Sequence, residues 1–348
     1  MKKRLTYIDV INIIAIFFVL VIHSSWSFNN SALGVFDSVV RMIAEVAVFL
    51  FMMNSGAMLI NYRQKYDTKT FLVKRLKRVL VPLLFWSVVF YFVGTLNTTS
   101  LPNVVFVTDH VSLQNFLKLF ITDHINAAFW FFYLIITLYI LTPVFSVLAE
   151  KNRDVLFYIV ILDFIFNFIF VFLNNNHFHL ELPQYALPLS GQAYIGFYIM
   201  GYLIKSDYFT SKYLKCFRVA GYLSFILVVI ISSLCFIIAN PVIQRSIGYG
   251  GPLNFIYSVG FFIVVKEWVE NHSVFENVKL QKILSLFSSL SLGIYILHPF
   301  FMKIFMRLTN TVFDSWLDIL FMPIFTYVCA AAVSYIIKKI PYVKELLP

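Results

Sequence analysis

YIDVINIIAIFFVLVIHSSWSF, residues 7–28, is long enough to cross a bilayer, yet it carries Asp9, Asn12, His23 and Ser27 among its Ile, Val, Leu and Phe residues. At about 100° per residue those four positions share an arc of roughly 60° on a helix. A membrane helix with one polar stripe faces a protein interior or a wet cavity, because lipid offers its polar groups no partners. Lys2, Lys3 and Arg4 precede the stretch in the manner of a signal peptide. The apolar run is too long for that role and no small-residue cleavage site follows. It therefore reads as the first transmembrane helix, placed inside a bundle.

The rest of the chain agrees. Of 348 residues 60% are hydrophobic and only 13% charged, with 40 Phe, more apolar surface than a soluble fold can hide. The expected fold is all-α, a polytopic transmembrane helix bundle of about ten crossings. They are placed near 7–28, 38–61, 79–96, 128–149, 155–174, 187–204, 219–239, 252–268, 284–303 and 317–337. One membrane domain over 1–348 with no appended soluble domain is expected. Cys216, Cys235 and Cys329 have neither CxxC nor Cys/His spacing, so no disulfide framework or metal site is expected. The segment 97–127, with His110, Asp123 and His124, reads as a plain solvated loop.

Most of the 27 Lys and Arg fall on the side of the N-terminus, leaving Arg41, Lys118, Arg245, Lys303 and Arg307 on the other. By the positive-inside rule both termini are then cytosolic and the protein is a multi-pass cell-membrane protein. The net charge of +10 follows from this topology and from anionic headgroups, with no nucleic acid needed.

His23 lies roughly 24 Å up a helix that starts at the cytosolic face. A second stripe occurs in SLFSSLSLGIYILHPF, residues 285–300, where Ser288, Ser291, Tyr295 and His298 share an arc of about 80°. His298 is placed roughly 21 Å up its own helix, so two histidines from distant segments are expected at one depth. A neutral imidazole can deprotonate a hydroxyl attacking an acyl carbon, and a Tyr or Ser can stabilise the oxyanion. The bland reading of each histidine is a helix-packing hydrogen bond or wetting by headgroups. Arg41 and Glu45, spaced i, i+4, are expected to neutralise one another, and Asp163 to be bonded across helices. Arg75 and Arg78, one turn apart within RQKYDTKTFLVKRLKR at residues 63–78, can grip an anionic phosphate or simply set topology.

With these residues in view, the chain resembles the acyltransferase 3 family of bacterial integral-membrane acyltransferases. The first helix is similar in its early acid, Asp9, and its late His23. Resemblance continues in FLFMMNSGAMLI with Ser55 and Gly56, and in KRLKRVLVPLLFW with Arg75, Arg78 and Pro82. It extends through FWFFYLIITLYILTPVF, IGFYIMGYLI ending at Gly201, and SLSLGIYILHPF with Tyr295 and His298. Asn12 stands where the family commonly carries a basic residue, and Phe197 where an aromatic with a hydroxyl is common.

The resemblance implies an O-acyltransferase, most simply an O-acetyltransferase, with no permanently bound cofactor. Acetyl-CoA or another acyl-CoA is the expected co-substrate and an extracytoplasmic envelope glycan the expected acceptor. The bilayer and polysaccharide-biosynthesis proteins are the other expected partners. The expected catalytic group is His23, His298, Tyr295 and Asp9, with Tyr295 and His298 lining the cavity. Arg75, Arg78 and Asn12 are expected against the donor, and Trp130, Tyr133 and Glu45 against the acceptor, although Trp130 and Tyr133 fit equally as interfacial anchors. Two other classes fit the same polar groups: a transporter or flippase for a lipid-linked glycan, and a family member that binds without reacting.

Overall fold

A computed structural model describes residues 5–24, 31–95, 111–181, 194–238 and 246–347, apart from 249, 312, 314 and 342. Ser27 and His110 lie outside the described residues, as does the first half of the crossing expected at 187–204. Among the described residues there are helices and no strands. Eight helical stretches are long and apolar enough to cross a membrane, so the chain is an all-α polytopic bundle. The sixth expected crossing is represented by the apolar helix Ile195–Lys205 and the tenth by Met322–Lys339.

α1 (Thr6–Ser24) runs through the middle of the bundle. It packs against α2 (Ala32–Ala44), α3 (Ala47–Leu59), α10 (Pro252–Asn271), α11 (Val278–Thr309) and α13 (Met322–Lys339). The remaining elements are α4 (Thr68–Thr95), α5 (Leu113–Ile121), α6 (Trp130–Lys151), α7 (Arg153–Asp163), α8 (Ile195–Lys205), α9 (Ser211–Ile238) and α12 (Trp316–Leu320). Starts are marked by side chains that accept the orphan N–H groups of the first turn. Ser31 accepts from Gly34 N, Ser112 from Asn115 N and Asn152 from Asp154 N. Ser315 and Asp318 form a capping box at α12.

Three expectations change. The crossing expected at 38–61 is two helices, α2 and α3, with a turn at Glu45 and Val46. The loop expected at 97–127 contains α5, whose Ser112 cap and apolar Phe116 and Phe120, packed on Tyr91 and Tyr133, give it a helical face to bury. The third crossing begins at Thr68 rather than near 79, so Arg75 and Arg78 ride on the same helix as the apolar span.

Close approach of α3 and α8 depends on two glycines. A Cβ on Gly56 would fall 1.6 Å from the Tyr198 carbonyl oxygen, and one on Gly201 would fall 2.0 Å from that of Met53. Beside this contact Phe49 stacks on Phe197 with centroids 4.2 Å apart. Phe197 is thereby held in a buried aromatic stack. Asp163, as expected, is bonded across helices. It accepts from Gly196 N at 3.1 Å and from Asn167 Nδ2 at 2.8 Å, a carboxylate at the N-terminus of α8.

One end of the bundle is basic. Arg63 pairs with Glu150 at 3.2 Å, Lys77 with Glu345 at 3.1 Å, and Arg153 Nη1 donates to the Ser206 carbonyl at 3.0 Å. These contacts tie the link after α3 to the end of α6, α4 to the segment after α13, and the start of α7 to the link after α8. At the other end Arg41 Nη1 donates to the Ile22 carbonyl at 2.6 Å and Phe36 packs on Trp316.

Candidate active site

A cavity of about 390 Å³ opens between α1, α3, α4, α6 and α11. Its charged lining is Asp9, Arg75 and Arg78, and its far wall is made by Phe131, Phe132 and Tyr295. A second hollow of about 530 Å³ shares Ile8, Asp9, Met58, Leu59 and Arg75 with it. That hollow extends past Tyr62, Lys65 and Lys205, which puts the shared Arg75 where the cavity meets the basic end.

A band of neutral polar groups crosses the cavity. Asn54 Nδ2 donates to Asn12 Oδ1 at 2.9 Å and to the Ile8 carbonyl at 3.1 Å, and Asn12 Nδ2 donates to Ser288 Oγ at 3.1 Å. Asn12 therefore joins α1 to both α3 and α11 through an amide that both donates and accepts, which a cation at this position cannot do. Ser291, one turn further along α11, also lines the cavity. Its hydroxyl is buried with no hydrogen-bond partner among the described residues.

Beyond Tyr295 lie the two histidines. The rings of His23 and His298 stack with centroids 5.1 Å apart and planes at 27°, so the shared depth expected from the sequence is a direct contact. The Tyr295 ring stands 5.9 Å from that of His298. Its hydroxyl donates to the Ala128 carbonyl, which ties α11 to the start of α6. His298 is 0% exposed and does not line the cavity. Of the two residues expected against the cavity, Tyr295 lines it and His298 lies behind Tyr295, one turn further along α11. His298 Nδ1 is 2.5 Å from the Tyr295 carbonyl oxygen, and its Nε2 has no partner among the described residues. Arg41, on the Ile22 carbonyl beside His23, is a cation at the C-terminus of α1, within electrostatic reach of Asp37 and Glu45.

The structure thus gathers Asp9, Asn12, Arg75, Arg78 and Tyr295 around one cavity, with His23 and His298 stacked behind it. Three expected residues stand apart. Glu45 accepts from Asn254 Nδ2 at 3.3 Å, Trp130 packs on Tyr194 with centroids 5.5 Å apart, and the Tyr133 hydroxyl donates to the Phe120 carbonyl. Sequence reasoning missed Asn54 and Lys338. Asn54 sits one residue before the Ser55–Gly56 pair, and the adjacency was the available signal. Lys338 donates to the Ser289 carbonyl at the cavity rim, close to Arg78. It lies in the last turn of α13, about 260 positions from Arg78 in sequence, so no local pattern marks it. Among the described residues no group of His, Cys, Asp and Glu is placed to hold a metal ion.

Burial of the Asp123 carboxyl, in the link from α5 to α6, raises it to about 6 against an opposing effect of His124.

A family model described as an acyltransferase domain matches residues 5–338. No curated protein and no solved structure gives a significant match to the chain.

Proposed function

The chain belongs to the acyltransferase 3 family, and from that membership we propose that it moves an acyl group, most simply acetyl, from cytosolic acyl-CoA to a hydroxyl of an extracytoplasmic envelope glycan. One observation carries the reading: a single cavity has guanidinium groups at one end and, at the other, a tyrosine backed by two stacked histidines. CoA is an anion joined by a neutral, amide-bearing arm to a thioester. Arg75, Arg78 and Lys338 match its phosphates, which guanidinium groups hold with paired charge-assisted bonds. The band of Asn12, Asn54 and Ser288 and the open hydroxyl of Ser291 match the arm. From Asp9 to His23 the helix rises about 21 Å, a span suited to an extended donor.

At the far end the hydroxyl attacks the thioester carbonyl, the histidine pair receives its proton, and the departing sulfur takes that proton up. His23 carries the catalytic role by family resemblance. Tyr295 shapes the end of the cavity and Asp9 sets charge beside the donor. Trp130, Glu45 and the ring face of Tyr133 are the proposed acceptor contacts, on the side where both histidines sit. With the basic end in the cytosol, the acceptor arrives from outside, and proteins of polysaccharide biosynthesis are its expected suppliers.

Acetyl ester on surface polysaccharide, measured in a deletion strain of the host, tests this reading. A wild-type copy restores the ester and a His23→Ala copy does not; equal ester with both copies contradicts it. Thermal stabilisation of the purified protein by acetyl-CoA separates the enzyme from a glycan flippase, which a glycan alone stabilises.

A further inference from the structure

An α-helix donates each backbone N–H to the carbonyl four residues earlier, so a proline within it leaves one carbonyl without its helical donor. In α11 the proline is Pro299, and the carbonyl four residues back is that of Tyr295. His298 Nδ1 sits on this oxygen at 2.5 Å. A carbonyl only accepts, so Nδ1 carries the hydrogen, and in the neutral ring the lone pair is then on Nε2. Nε2 is fully buried with no partner among the described residues, next to the stacked ring of His23. Buried lone pairs without donors are unfavourable, and this one stands at the end of the cavity, behind Tyr295.

We propose that Pro299 is a positioning residue: by freeing the Tyr295 carbonyl it locks His298 in the Nδ1–H tautomer, which makes Nε2 a permanent hydrogen-bond acceptor for a hydroxyl brought to the histidine pair. The functional half of this inference rests on the acyltransferase reading, whereas the tautomer lock stands on the helix geometry alone. Three neighbours in sequence divide the work. Tyr295 supplies the oxygen, Pro299 withdraws its competitor, and His298 gains one fixed orientation. With any other residue at 299 a main-chain N–H shares this oxygen, which weakens its hold on Nδ1 and favours a shift of hydrogen toward Nε2.

Nitrogen NMR of protein labelled with 15N in histidine and held in nanodiscs reads the tautomer directly, the His298 signal being assigned by its loss in His298→Asn. Wild type is expected to be Nδ1–H, and Pro299→Ala, which restores a regular helix, is expected to shift population toward Nε2–H. Turnover of acetyl-CoA with the host's envelope polysaccharide fraction is then expected to fall about 10-fold in kcat in Pro299→Ala, as for a lost orienting partner, with KM for acetyl-CoA unchanged. His298→Gln, whose amide reaches the Nε2 position, is expected to keep more turnover than His298→Asn, whose amide reaches only the Nδ1 position. A Pro299→Ala protein with the wild-type tautomer overturns the lock; a shifted tautomer with unchanged kcat, or Asn equal to Gln at 298, overturns its role. The spectra need no turnover, so a wild-type protein that moves no acetyl sinks the enzyme reading while the Pro299→Ala spectrum still decides the lock.

Discussion

The two ends of the cavity are built on different principles. At the basic end the ion pairs are open to solvent, with Lys77 and Glu345 side chains 61% and 53% exposed, and several cations lie within reach of the same space. At the histidine end His298 and Asp37 are 0% exposed and Arg41 is 8% exposed, and His298 and Arg41 are each fixed by a main-chain carbonyl. Solvated charges hold an anion loosely and tolerate rearrangement. Buried polar groups hold one geometry, and misplacing them is costly. The difference fits the proposed division, with donor binding at the open end and chemistry at the buried one.

That contrast can be broken most severely at the first helix. His23→Ala is expected to lower acyl transfer about 10³-fold with little change in acyl-CoA affinity, read as initial rate and KM with reconstituted protein. Gly201→Leu attacks the packing behind α3, which lines the cavity: its side chain cannot fit against Met53, and a loss of about 3 kcal/mol or a failure to fold is expected, measured as Tm in detergent. Arg75→Ala and Arg78→Ala sharpen the contrast. Each is expected to raise KM for acyl-CoA about 10-fold at nearly constant kcat, and Arg75→Lys is expected to recover part of it.

The smallest expected effect lies in the α5–α6 link. Asp123 is raised on folding from 3.8 to about 6, so the folded state binds its proton more tightly than the unfolded one. Its contribution to stability is complete below pH 3.8 and is lost as the pH rises through about 6. Asp123→Asn is expected to flatten that part of a Tm-against-pH curve.

What the chain reveals by itself follows its local periodicity. The polar stripe of α1 predicts a helix inside the bundle, and rise per residue brings His23 and His298 to one depth. Arg75 and Arg78 show their common face through spacing alone. Tertiary partners are less legible. The Asn12–Asn54–Ser288 chain joins α1, α3 and α11, whose mutual rotation no single stretch encodes. The break at Glu45 and Val46 is hidden because an apolar run continues across it, and α5 because Thr122–Asn126 and its polar surroundings resemble a loop. The partners of Trp130 and Glu45, which are Tyr194 and Asn254, come from elements far along the chain and leave no local signal.

The most direct test follows a label through the cavity. Protein in liposomes is given acetyl-CoA carrying a radiolabelled acetyl group on the basic side and envelope polysaccharide on the other. Wild type is expected to move label from CoA into alkali-labile ester on the polysaccharide, while His23→Ala still binds acetyl-CoA and leaves the label in place. Equal transfer by the two proteins, or label that stays with CoA in both while acetyl-CoA fails to bind either, contradicts a cavity with a donor-binding end and a histidine reaction centre.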